Sequence, residues 1–268
     1  MSNRHMVVPG TKIVLADVDP DYPGKRHDKE KAKQLLDESR AALVRLQALL
    51  YAEAKHAVLL VLQAMDTGGK DGTIRHVMSG INPQGCSVTS FKAPAPEELA
   101  HDYLWRVHRA IPQRGMIGIF NRSHYEDVLI VRVHKLVPPE VWRARYEQIN
   151  SFERYLSENG VTILKFYLHI SKDEQKKRLE DRLSDPSKRW KFSSLDLQER
   201  KLWDEYQQAY EDMLNRTSAK WATWYVIPAN HEWYRNYAVA SVVSEALEDL
   251  GMAYPQPRED LSKVVIPD

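Results

Sequence analysis

An α/β architecture, a parallel sheet covered by helices on both faces, is the fold class this sequence predicts, and three observations carry it. Five short apolar runs, Val58–Gln63, Ser87–Phe91, Met116–Phe120, Val161–Ile170 and Trp224–Ile227, are each followed by a helical pattern. Strands alternating with helices pair in parallel, since each crossover needs the length of a helix. The composition, 43% hydrophobic and 28% charged, excludes disordered and fibrous classes. At 268 residues, one domain with a substantial core is expected.

Residues 1–27 are rich in Pro, Gly and Asp without a clean period, and read as an irregular arm that wraps the domain or a neighbour. From Asp28 to about Lys55, Leu35, Leu36, Leu43, Leu46, Leu49 and Leu50 recur at helical spacing and predict an amphipathic helix. Residues 1–56 are therefore expected to pack on a core formed by 57–268, as one structural domain. Gly160 stops one helix, and Ser171 with Glu174 forms a capping box that starts the next.

Lys plus Arg (38) and Asp plus Glu (37) nearly cancel, for a formal charge of +1. No general affinity for nucleic acid or membrane follows, so any polyanion site must be local. Cys86 is the only cysteine; it excludes a disulfide framework, suits a reducing cytoplasm, and reads as a small buried thiol. The amino terminus lacks a signal-like apolar core, and no window approaches a spanning helix of about 20 apolar residues. A cytoplasmic protein is expected.

In a parallel sheet, ligands gather beyond the carboxyl ends of the strands. The first run passes into Ala-Met-Asp-Thr-Gly-Gly-Lys-Asp-Gly-Thr, Ala64 to Thr73, with a helix beginning near Lys70. A strand, a glycine turn and a helix start aim successive N–H groups at one spot, where a phosphate chain fits. Gly68, Gly69, Asp71, Gly72 and Thr73 would form the cradle, and Lys70 would reach the transferred phosphate. The pattern departs from G-x-x-x-x-G-K-S/T, with Ala64 at the first glycine and Asp71 at the hydroxyl position. Asp66 inside an anion cradle should repel phosphate, unless Mg²⁺ lies between them. The plain alternative is a turn that merely connects strand and helix.

The third run is followed at once by Asn121, Arg122, Ser123, His124, Tyr125, Glu126 and Asp127. A carboxylate at that strand end suits a metal held across from the loop, with Asp66 and Asp127 as the metal pair and Glu126 and Asn121 beside them. Arg122 would offer charge to the transferring group. Ser123 with Glu126 also reads as a helix-capping box. Between Lys176 and Lys191 the neutral chain turns basic, with Arg178, Arg182, Lys188 and Arg189, and Pro186 breaks the helix there. That predicts a lid around 178–195, against the alternative of a solvated charged face. Arg106 and Arg109, spaced i and i+3, could bind acceptor phosphate, or pair with Glu97, Glu98 or Asp102.

Taken together, L-Q-A-M-D-T-G-G-K-D-G-T, F-N-R-S-H-Y-E-D-V-L, L-K-F-Y-L-H-I-S-K-D-E-Q, R-W-K-F and W-Y-V-I-P-A-N resemble the type-2 polyphosphate kinases of the P-loop kinase superfamily, over essentially the whole chain. The resemblance implies a three-layer αβα P-loop kinase fold with a five-stranded parallel sheet and helical lid. It implies reversible, Mg²⁺-dependent transfer between inorganic polyphosphate and nucleotides, with Mn²⁺ as a substitute metal. Family roles fall on Asp66, Lys70 and Arg122, and in the lid on Arg178, Arg182 and Arg189. Many members have F-D-R-S-W-Y-N-R where this chain has F-N-R-S-H-Y-E-D, so Asn121 replaces a metal-binding Asp. The chain is similar to the subgroup taking AMP to ADP and ADP to ATP. Adenine nucleotides are the expected partners, with guanine nucleotides next, in a dimer or tetramer. The rivals are an ATP-dependent nucleoside monophosphate kinase and a non-catalytic polyanion-binding protein.

Overall fold

The computed structural model describes residues 4–23 and 29–267. Its sheet has five strands: β1 (Ala57–Gln63), β2 (Cys86–Ser90), β3 (Ile117–Asn121), β4 (Val161–His169) and β5 (Ala222–Pro228). All pairings are parallel, in the order β2-β3-β1-β4-β5. Each of the five apolar runs is a strand. β1 is buried at every residue, because a strand covered on both faces has no solvent side to make polar.

The helices are α1 (Lys29–Glu53), α2 (Lys70–Val77), α3 (Pro96–Leu99), α4 (Trp105–Arg109), α5 (Ile130–Val133), α6 (Pro139–Glu158), α7 (Lys172–Ser184), α8 (Ser194–Lys201), α9 (Trp203–Thr217) and α10 (Glu232–Glu248). α2 and α10 cover one face and α6 and α9 the other, while α1 lies over α10. Sandwiched between sheet and α1, α10 buries residues on every side, from Tyr234 and Val239 to Val243 and Leu247. The leucine stripe of α1 supplies Leu36, Leu43, Leu46 and Leu50 to that contact. The helix start expected at Asp28 lies outside the described residues.

The amino-terminal arm runs beside the sheet. Met6 bridges Tyr225 in antiparallel sense; Val7 N donates to Trp224 O and Val226 N to His5 O, both at 2.8 Å. β5 is thereby paired along its outer edge. Cys86 is only half-buried, with its thiol pushed up by burial. Among the described residues no helix is long and apolar enough to cross a membrane.

The chain leaves β1 towards β2 and leaves β3 towards β4, on the other side. The carboxyl ends of these adjacent strands, paired at Leu62 and Asn121, therefore diverge into a crevice. That switch point is where an open α/β sheet takes its ligand.

Candidate active site

Two segments meet at the crevice. After β1, Gly68 N closes a turn on Met65 O at 3.0 Å. A Cβ on Gly68 would stand 2.5 Å from that of Ala64 and 2.8 Å from Met65 O, so the turn closes only on glycine. Gly69, at φ +96°, caps α2 in the left-handed region. Lys70 follows with its side chain buried and Nζ donating to Ala64 O at 2.9 Å. Burial lowers its pKa to about 8, with Arg122 adding to the effect; Asp66, Glu126 and Asp71 act in the opposite sense.

After β3, Arg122 adopts φ +61°, a left-handed conformation that costs a non-glycine residue about 1–2 kcal/mol. Such strain collects where a side chain must be aimed. Its amide donates to Leu62 O, and its Nη2 donates to Asp66 Oδ1 at 2.7 Å. Asn121 Nδ2 donates to Asp71 Oδ1, also at 2.7 Å. The Gln63 amide lies between Ser123 Oγ and Glu126 Oε1, 3.0 Å from each. Burial raises the Glu126 carboxyl above the usual range, against Arg122 and Lys70.

A buried network fixes this second segment. Lys165, fully buried on β4, donates to Tyr125 Oη (2.7 Å), Glu153 Oε2 (2.6 Å) and Thr217 O (2.7 Å). Tyr125 Oη donates to Glu153 Oε1 at 2.8 Å, and His124 Nε2 lies 3.2 Å from that oxygen. The turn bearing Arg122 and Glu126 is thus tied to α6, β4 and α9.

The expected pairing of Asp66 with Asp127 is not what the fold builds. Asp127 accepts from Arg145 Nη1 of α6 at 3.0 Å, and the groups that act on its pKa after burial are Arg145, Arg106 and His124. Residues 124–127 form a 3₁₀ turn, not the α-helical capping box expected. Neighbours in such a turn point about 120° apart, so Glu126 faces the loop and Asp127 the helices. Among the described residues no group of three or more His, Cys, Asp and Glu side chains is arranged to hold a metal alone.

The crevice opens into a cleft of about 800 Å³, lined by eight Lys and Arg side chains against four carboxylates. Gly68, Gly69, Lys70, Asp71, Gly72, Asn121 and Arg122 line it, as do Arg182 and Lys188 from the lid region. Thr73 is buried, its hydroxyl donating to Gly69 O. A smaller cavity of about 240 Å³, lined by Glu126, Asp196, Tyr206 and Tyr210, shares Asp66 and Arg122 with the cleft.

Of the other expected cations, Arg178 also lines the cleft, whereas Arg106, Arg109 and Arg189 do not. Arg178 belongs to the body of α7 and braces the loop: it donates to Thr67 O (3.0 Å), Ala229 O (2.6 Å) and Asn230 O (3.1 Å), and pairs with Glu174 (2.8 Å). With Glu174 so engaged, Ser171 caps α7 alone, accepting from Glu174 N. Arg189 donates to Leu183 O inside the lid. Arg106 pairs with Glu98 at 3.5 Å and donates to Lys92 O, while Arg109 stacks on Trp105; neither lines the cleft. Arg182 pairs with Asp196 and Lys188 with Asp185. Sequence reasoning missed Arg75 of the cleft wall, the tyrosines of the smaller cavity, and Gln175, which donates to Asp66 O at 3.1 Å. Arg75 follows Lys70 on α2, while the tyrosines and Gln175 carry no local signal, since they reach the site from α9 and α7.

The polyphosphate kinase 2 family profile matches residues 26–254. The chain belongs to the polyphosphate kinase 2 family. An AMP/ADP-polyphosphate phosphotransferase of Meiothermus ruber is 54% identical over 264 residues, 98% of this chain and 99% of the relative. An ADP-polyphosphate phosphotransferase of Rhodopseudomonas palustris is 50% identical over 251 residues, 89% and 86% of the two chains. The crystal structure of a polyphosphate kinase 2 from Arthrobacter aurescens superposes with a TM-score of 0.91 at 47% identity, covering 94% of this chain and 91% of that one. In this polyphosphate kinase 2 chain, the cleft lies where the glycine loop after β1 and the turn after β3 face each other.

Proposed function

We propose that this chain transfers the terminal phosphoryl group of inorganic polyphosphate to AMP and to ADP, reversibly. The observation that carries the reading is the meeting of Lys70, Asp66 and Arg122 at the switch point on a basic cleft, with Glu126 beside them in the adjoining cavity. The Meiothermus ruber relative, named for both nucleotides, supports the double specificity.

An oxygen of the acceptor's terminal phosphate attacks the last phosphorus of the chain. The bond from that phosphorus to its bridging oxygen breaks, and the polymer leaves one phosphate shorter. The acceptor oxygen is already anionic, so no strong base is required. Lys70 and Arg122 neutralise charge on the equatorial oxygens. Asp66 holds Arg122 in place, and the basic cleft wall orients the polymer. Asp66, Glu126 and Asp71 are hard oxygen donors around Lys70 and would hold Mg²⁺ or Mn²⁺. Such a metal would supply charge neutralisation for the transferring phosphate.

The test is phosphate transfer to AMP and ADP measured side by side with polyphosphate as sole donor, followed by ³¹P NMR. ADP and ATP should accumulate respectively; formation of product only when a nucleoside triphosphate is added would reject the reading. A cytoplasmic homo-oligomer, dimer or tetramer, belongs to the same proposal. The exposed apolar side chains of Val265 and Ile266 in the carboxyl tail support it, and a monomeric mass by light scattering would remove it.

A further inference from the structure

Arg235, on α10, is fully buried beneath the phosphate loop. A Cβ on Gly69 would collide with Arg235 Nη1, and one on Gly72 would stand 3.2 Å from Nη2. The two glycines that read in the sequence as room for phosphate are therefore also room for a guanidinium on the opposite side of the same backbone. Its partners are few. Nε and Nη2 both donate to one neutral acceptor, Asn236 Oδ1, at 3.2 and 3.0 Å. Nη1 has no hydrogen-bond partner among the described residues. The carboxylate that pairs with it, Glu232, is 3.9 Å away with its side chain 69% exposed, where water screens it. Burial lowers the Arg235 pKa to about 10, so the group stays charged at neutral pH. A buried cation without a buried counter-ion destabilises a fold.

We propose that Arg235 is a positioning residue whose counter-ion is the substrate's phosphate chain: from behind the Gly69–Gly72 backbone it supplies fixed positive charge that holds polyphosphate on the cleft side. The inference rests on the reading of the loop as the phosphate cradle, and adds to the cations of the cleft one that no substrate touches. Charge acts strongly through a packed, water-free backbone, and the opening N–H groups of α2 share its direction.

Asn236→Asp tests it without removing Arg235, by placing a carboxylate at the guanidinium's only bonded acceptor among the described residues. The variant should melt at or above the wild-type temperature. It should bind medium-chain inorganic polyphosphate about tenfold more weakly by calorimetry without nucleotide, the scale of one unit charge acting over roughly 10 Å at an effective dielectric of about 20. Arg235→Gln should show the same loss of affinity, and Arg235→Lys should recover part of it. Unchanged affinity in Asn236→Asp overturns the proposal. So does its failure to fold, since a carboxylate there must stabilise a cation that lacks a counter-ion. Lys70→Met separates the two readings: if it binds polyphosphate like wild type, the cradle itself is misassigned. If it loses binding while Asn236→Asp does not, only the role of Arg235 falls.

Discussion

Lys70 and Glu126 set the chemistry at the scale of single residues, and each carries a displaced pKa that can be read in solution. Lys70 must be protonated to hold phosphate, and in the free protein its pKa is lowered to about 8. The kcat/KM for polyphosphate should therefore fall as pH rises through about 8. Bound phosphate favours the ammonium form, so the corresponding limb of kcat should lie at higher pH; coincident limbs would detach Lys70 from the titration. Glu126 and Asp127 are adjacent in sequence and opposite in surroundings, one facing Lys70 and the other Arg145. Glu126→Gln should lower kcat roughly 10- to 100-fold, whereas Asp127→Asn should cost stability and leave kcat near wild type. The reverse ranking, from steady-state kinetics and melting curves, would restore Asp127 to the metal. The sequence could not make this choice, because an α-helical and a 3₁₀ reading of His-Tyr-Glu-Asp send the two carboxylates to different sides.

Among the elements, strands were the most legible. β1 is a continuous apolar run and β4 a mostly apolar one, and burial on both faces is what makes such runs. The phosphate loop was readable for the same local reason, since a strand end, a glycine turn and a helix start lie within ten residues. Cations were not. Arg106, Arg178 and Arg189 look alike in sequence, and their acceptors on Lys92, Thr67 and Leu183 exist only after folding. Lys165 was equally hidden, a charge inside an apolar run whose partners come from three other elements. That network joins α6, β4, α9 and the Arg122 turn, and Glu153 is its anion. Glu153→Gln leaves a buried ammonium with no full counter-charge, and should destabilise by about 3–5 kcal/mol in urea denaturation. A loss below about 1 kcal/mol would mean that Lys165 is neutral in the fold.

Taken whole, the molecule is nearly neutral yet concentrates its positive charge on one cleft. Polyphosphate binding should accordingly weaken with salt along a straight line in logarithmic coordinates, and Lys92→Ala on the cleft wall should reduce that slope by about one. A salt-independent affinity would place the polymer elsewhere. The amino-terminal arm has its own consequence for anyone handling the protein. His5 and Val7 occupy the main-chain groups of Trp224 and Val226, and Val7 is itself buried. Trimming the chain past Val8 would strip a border strand, leaving unsatisfied amides and carbonyls open to any passing extended peptide. Affinity handles belong at the other terminus, and a preparation clipped near its start should precipitate before it loses its catalytic groups.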